Sequence, residues 1–218
     1  MASYFTLTLD VTPPSNGSIS IHSSTNTVNI TATLSATGAT QMKLYGDITN
    51  TTGGSAISEA SASWVAYSVS KDIILTNGDG TKTVYVKYRD EVGNETSAYS
   101  ASTVLDTAGP TVEVLSGPDV ATISKVSGFN VCLFTFRANE IITEWTVRVV
   151  PDAGSTHDAG AEIPSTGGST NMHGATQTAA DAPISCSIYG ADLEAASSGE
   201  GAKIIKVFAK DVGGNWSI

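Results

Sequence analysis

Basic charge is scarce in this chain. Eleven Lys and Arg stand against 21 Asp and Glu, for a formal net charge of −10. The cations are scattered singly, so the basic stripe that neutralises phosphates is missing and a nucleic-acid partner is not expected. Cysteine is nearly absent too, with only Cys132 and Cys186 in 218 residues. Neither belongs to a CxxC or Cys/His spacing, which argues against a structural zinc site, and both read as buried free thiols. No apolar run approaches the length of a bilayer span, so no membrane partner is expected. The N-terminus has no basic stretch followed by an apolar one, which gives the expectation of a chain made and folded in a cytoplasm. Charged residues make up only 15%. The remainder is rich in Gly, Ser, Thr and Ala, a mix that suits short strands and frequent turns better than long helices.

What the chain does have is an internal repeat. "NGDGTKTVYVKYRDEVGNETS" (residues 77–97) and "SGEGAKIIKVFAKDVGGNWS" (198–217) align at a constant offset of 121. Gly78 meets Gly199, Gly80 meets Gly201, Lys82 meets Lys203, Val86 meets Val207, Asp90 meets Asp211 and Asn94 meets Asn215. Each copy is an acidic Gly turn, an alternating strand, a second acidic turn and Gly-Asn. Earlier in each half lies another pair of alternating runs, 27–34 with 41–45 and 129–136 with 144–150, separated by turn residues. This is the pattern of an all-β protein of two tandem antiparallel β-sandwiches. One short helical candidate, residues 190–196, does not alter that class.

The divisions are residues 1–10 as a closing strand, 11–109 as domain one and 110–218 as domain two. Domain two carries a long polar excursion at 152–181, read as a contact surface. The closing strand is expected because the opening "YFTLTLD" (residues 4–10) repeats the character of "STVLD" (102–106), which ends domain one. After Asn94 the chain runs 12 residues to Asp106, whereas only three residues follow Asn215. Tyr4, Phe5, Leu7 and Leu9, with Trp216 and Ile218 at the other end, therefore form a candidate strand-sharing set. Phe5, Leu7 and Leu9 alternate with Thr6 and Thr8 and give one apolar face. Three placements stay open: closure of domain two within the same chain, donation to a neighbouring copy, or a first strand of domain one.

"GDGTKTVYVKYRDEVGNET" followed by "LDTAGPTV" resembles the bacterial and phage Ig-like repeat, well over residues 13–110 and more loosely over 111–218. The resemblance implies Ig-like sandwiches with structural or binding roles and brings no catalytic residues. With the cytoplasmic expectation it points to a structural or decoration protein of a phage virion, whose partners are other virion proteins or further copies of itself. The alternative is a carbohydrate- or host-surface-binding adhesion module.

Chemistry beyond packing is thinly represented. Trp64, Tyr67, His157 and His173 form a candidate ligand surface, with one of Trp64 and Tyr67 expected in the core, since they lie three apart on a strand. Asp79, Asp90, Glu91, Asp106, Glu200 and Asp211 sit in turns. Calcium would need such oxygens to converge, but no EF-hand-like loop exists, and Asp90 and Asp211 read as turn caps. No cofactor is expected. The three histidines share no spacing with an acid or nucleophile and no G-x-S-x-G elbow occurs, so an enzyme is not expected.

Overall fold

The computed structural model describes residues 4–218. The chain divides between Thr107 and Ala108 into two compact units.

Unit one contains β1 (Ser15–Ser20), β2 (Ser24–Thr25), β3 (Asn29–Thr37), β4 (Gln41–Gly46), β5 (Ile48–Thr49), β6 (Val65–Ala66), β7 (Ser70–Leu75), β8 (Gly80–Arg89) and β9 (Tyr99–Leu105). They form a four-stranded sheet in the order β1-β3-β7-β5 and a five-stranded sheet in the order β2-β9-β8-β4-β6. Strict alternation makes them sheets with one wet face. Along β8, Val84, Val86 and Tyr88 are fully buried and the residues between them are more exposed. Along β3, Ala32 and Leu34 point inward and threonines point out. Each fully buried valine or leucine among them stabilises the sandwich by about 1.5–3 kcal/mol relative to an exposed one. Tyr88 lies in the core beside Tyr67 and Tyr99, ring centroids 5.9 and 6.1 Å away. Burial pushes the Tyr88 phenol up to about 12, so it stays a neutral donor to the Ser18 carbonyl.

Unit two contains β10 (Val112–Ser116), β11 (Val131–Ala138), β12 (Ile142–Val150), β13 (Ala161–Glu162), β14 (His173–Gly174), β15 (Ile184–Tyr189), α1 (Gly190–Ala196) and β16 (Ile204–Asp211). One sheet runs β10-β11-β15; in the other, β12 pairs with β13, β14 and, along most of its length, β16. The core is Phe134 and Phe136 from β11, Trp145 and Val147 from β12, Cys186 and Ile188 from β15, and Val207 and Ala209 from β16. Both cysteines are buried free thiols. Burial pushes the Cys186 thiol up to about 12.

The excursion at 152–181 is tied down rather than free. Ile163 and Met172 are fully buried in the core, and β13 and β14 add to β12. The peg is Asp192 in the first turn of α1, itself only 1% exposed. Its carboxylate accepts the Gly167 and Ser169 N–H groups at 2.6 and 2.9 Å. Burial alone would raise this carboxyl, but the bonds from Ser169, Gly167 and Thr166 outweigh it and hold the group below its ordinary range.

Candidate functional site

The repeated phrase is repeated physically. Gly78 and Gly199 take φ of 87° and 84°, and Gly80 and Gly201 take 119° and 118°, so both turns need the backbone freedom of glycine. Lys82 donates to the Asn77 carbonyl at 3.1 Å and Lys203 to the Ser198 carbonyl at 3.2 Å, the same residue pair shifted by the offset. Asp90 accepts the N–H groups of Val92, Gly93 and Asn94, and Asp211 accepts that of Asn215. Burial opposes ionisation of Asp90, but the Asn94 side chain and these N–H groups leave its carboxyl below the ordinary range. The correspondence continues past the turn. Thr96 N–H donates to the Tyr88 carbonyl at 2.9 Å, and Ser217 N–H donates to the Ala209 carbonyl at 2.8 Å.

There the units part. In unit one the chain proceeds into β9, which pairs with β8 from Gly80↔Leu105 to Val86↔Tyr99. Tyr99, Ala101, Thr103 and Leu105 turn inward. The Tyr99 ring packs so close over Gly17 that a Cβ there would lie 2.2 Å from it. In unit two Trp216 bridges to Lys210 on the corresponding edge of β16, and no described strand continues that pairing along residues 204–207. Between β10 and β16 lies a groove of about 360 Å³ lined by Val112, Val114, Ile205, Val207, Ser217 and Ile218, among others. Val114 is 54% exposed and Ile218 is 95% exposed.

Residues 4–9 belong to no strand: Tyr4, Phe5, Leu7 and Leu9 are 84–95% exposed. The described part of the segment therefore adds no first strand to unit one. β1 starts at Ser15, directly after Pro13-Pro14, and β2 runs parallel to β9 on the outer edge of the other sheet.

The remaining candidates are dispersed. Tyr67 lies partly buried against the unit-one core and accepts the Ala36 N–H at 3.1 Å. Trp64 is half-buried, with the Lys43 ammonium and the Arg89 guanidinium 4.9 and 4.4 Å from its ring centroid. In unit two, His157 stacks on Trp216 with ring centroids 4.5 Å apart, and His157 Nε2 lies 3.0 Å from the Asp158 carboxylate. His173 Nδ1 lies 2.9 Å from Glu162, which bridges β14 and β13. Gly109 passes so close to Trp216 that a Cβ would sit 2.1 Å from its carbonyl oxygen. Sequence reasoning missed the β10 wall of the groove and the Asp192 peg. The Gly167-Gly168 pair, where φ of Gly168 is 115°, was the available sign that a tight turn needed a partner.

No sequence family and no curated protein matches the chain. Among solved structures it is similar to fibronectin(III)-like modules of CbhA from Clostridium thermocellum, at 13% identity and a TM-score of 0.40, over 92% of this chain and 89% of that one. It is also similar to the BSP domain of a biofilm-associated protein, at 10% identity and a TM-score of 0.28, over 94% and 28%. A tetra-tandem repeat from the extending region of a large adhesion protein matches at 21% identity and a TM-score of 0.25, over 92% and 47%. In unit one the long strands β1, β3 and β7 share one sheet and β4, β8 and β9 the other; in unit two β10, β11 and β15 share one and β12 and β16 the other, which defines the fold as two tandem Ig-like β-sandwiches.

Proposed function

We propose that the chain is a non-enzymatic structural module, a decoration or tail component of a phage particle, whose partners are other particle proteins or copies of itself. The observation that carries the non-enzymatic part is how the polar side chains are spent. Of the carboxylates held below their ordinary range, Asp90 and Asp192 have their oxygens filled by N–H donors of turns, and Glu59 is paired with the Lys87 ammonium. The buried Lys82 is bound to Thr76 and Asn77. Such groups fix loops and are in no position to exchange protons with a substrate. The resemblance of the Gly-Asp-Gly and Gly-Asn phrases to bacterial and phage repeats supports the particle assignment. Labelling with antibody against the chain tests it: decoration of purified virions is expected, and labelling confined to a bacterial surface would overturn it.

The second reading is a glycan- or host-surface-binding module. Trp64, half-buried beside Lys43 and Arg89, supports it, because an aromatic plane flanked by cations can stack on a sugar and hydrogen-bond its hydroxyls. Glycan-array binding that disappears in Trp64→Ala would favour this reading, and an absence of binding would remove it.

A further inference from the structure

We propose that the uncovered edge of β7 in unit one is guarded by Ser68, Lys71 and Asp72 against pairing with the same strand of a second copy. The guard belongs to unit one alone and holds whether the chain decorates a particle or binds a glycan.

Two hydrogen bonds fix which side of β7 is open. The Val69 carbonyl accepts the Leu34 N–H at 2.9 Å, and the Leu75 N–H donates to the Val28 carbonyl at 2.7 Å, so the odd-numbered residues of β7 bond β3. The even-numbered residues turn their N–H and C=O groups to the other side, where β5 reaches only Ile74 and Leu75. Ser70 and Asp72 therefore face outward beyond the end of β5, and both are exposed. An edge of this kind, running into the apolar Ile73-Ile74-Leu75, is a template for another strand. The other edges of unit one are blunted by different means. β2 and β6 have two residues each, and β1 breaks register between Ser15 and Ser18.

Three residues close the β7 edge. Ser68 Oγ donates to the Ser70 carbonyl at 2.8 Å and accepts the Ser70 N–H at 3.4 Å, so both outward groups of Ser70 are engaged. Lys71 is in step with the buried Ile73 and Leu75 yet exposed, and it puts a charge on the inner face, beside a cleft of about 320 Å³. Asp72 holds the opposite face, its carboxylate fixed by the Thr31 hydroxyl at 2.6 Å. A two-fold antiparallel pair of β7 strands must match even residues with even ones. Matching Asp72 with Asp72 opposes two carboxylates, their Cα atoms about 5.5 Å apart. Matching Ser70 with Asp72 opposes Lys71 to Lys71, with Cα atoms about 4.5 Å apart. Like charges directly opposite destabilise such a pair. Matching Ser70 with Ser70 meets the Ser68 hydroxyls instead. One charge alone would leave the other register open, which is the use of two charges in succession.

Light scattering of the full chain carrying Ser68→Ala, Lys71→Val and Asp72→Thr tests the guard. Its mass should approach twice 22.4 kDa, with a dissociation constant at least tenfold below that of the wild type. Hydrogen exchange of the amide at position 72 should slow as the concentration of this variant rises. The chain carrying Ser68→Ala, Lys71→Glu and Asp72→Lys lacks the hydroxyl but still opposes like charges in both registers, and it should keep the wild-type mass. A first variant that keeps the wild-type mass, or associates without slower exchange at position 72, overturns the proposal. So does a charge-swapped variant that dimerises as readily as the first. The wild type gives a measure that needs no variant. Its Asp72 amide should exchange at one rate from dilute to concentrated solution, and protection that grows with concentration overturns the proposal even if neither variant folds.

Discussion

Replacing Asp192 by Ala should selectively weaken unit two. Two N–H groups lose a carboxylate acceptor, those of Gly167 and Ser169. Gly167 is exposed, so water takes over its bond at little cost. Ser169 is only 4% exposed, and its N–H would be left without a partner. A charge-assisted bond lost together with an orphaned buried donor costs about 3 kcal/mol. For a domain of this size that lowers Tm by about 10 °C. Urea unfolding followed by hydrogen exchange resolved by segment would place the loss in unit two, with the exchange of β13, β14 and α1 accelerating first. The pH dependence fixes the cause. The native carboxyl titrates below its unfolded value of about 3.9, so its contribution is complete above that pH and is lost as pH falls through the native value. The stability gap between wild type and Asp192→Asn should therefore be level from pH 7 to about 5 and close in more acid solution. A gap under about 0.5 kcal/mol for Asp192→Ala, a loss in unit one, or a wild-type to Asp192→Asn gap indifferent to acid would refute the peg.

The repeat yields a paired test. Gly80→Ala and Gly201→Ala force a side chain into φ near 119° and 118°, so each should cost its own unit about 1–3 kcal/mol in denaturant unfolding and spare the other. Lys82→Ala, which removes a buried hook, should cost unit one about 1–2 kcal/mol. Lys203→Ala should cost unit two less, since that lysine is more exposed. Gly174→Ala would place a Cβ 2.0 Å from the Trp145 ring, and the displaced indole should lower unit-two stability by about 2 kcal/mol or more and shift its fluorescence.

The sandwich class was legible because its signals are local. The alternation of Val84, Val86 and Tyr88 sets a face, and Gly80 and Gly201 mark turns whose φ only glycine accepts readily. The offset between the two Gly-Asp/Glu-Gly phrases aligned Lys82 with Lys203, but that both lysines hold equivalent carbonyls needed coordinates. What escaped depends on distant partners. Ile163 and Met172 are isolated apolar residues in a polar stretch, so periodicity had nothing to count, yet each is fully buried. Asp192 lies over 20 positions from the N–H groups it binds. Residues 4–9 announce a strand by their alternation, but alternation says which side chains share a face and leaves open which edge receives them. Trp64 and Tyr67 diverge because a strand turns over every residue, which sends Tyr67 to the core and Trp64 to the cations outside.

The unbridged cysteines have a consequence for where the molecule can be built. Cys132 and Cys186 sit on the paired strands β11 and β15 and serve as small apolar side chains, without a covalent link. The native packing of unit two therefore requires no oxidant to form a covalent link.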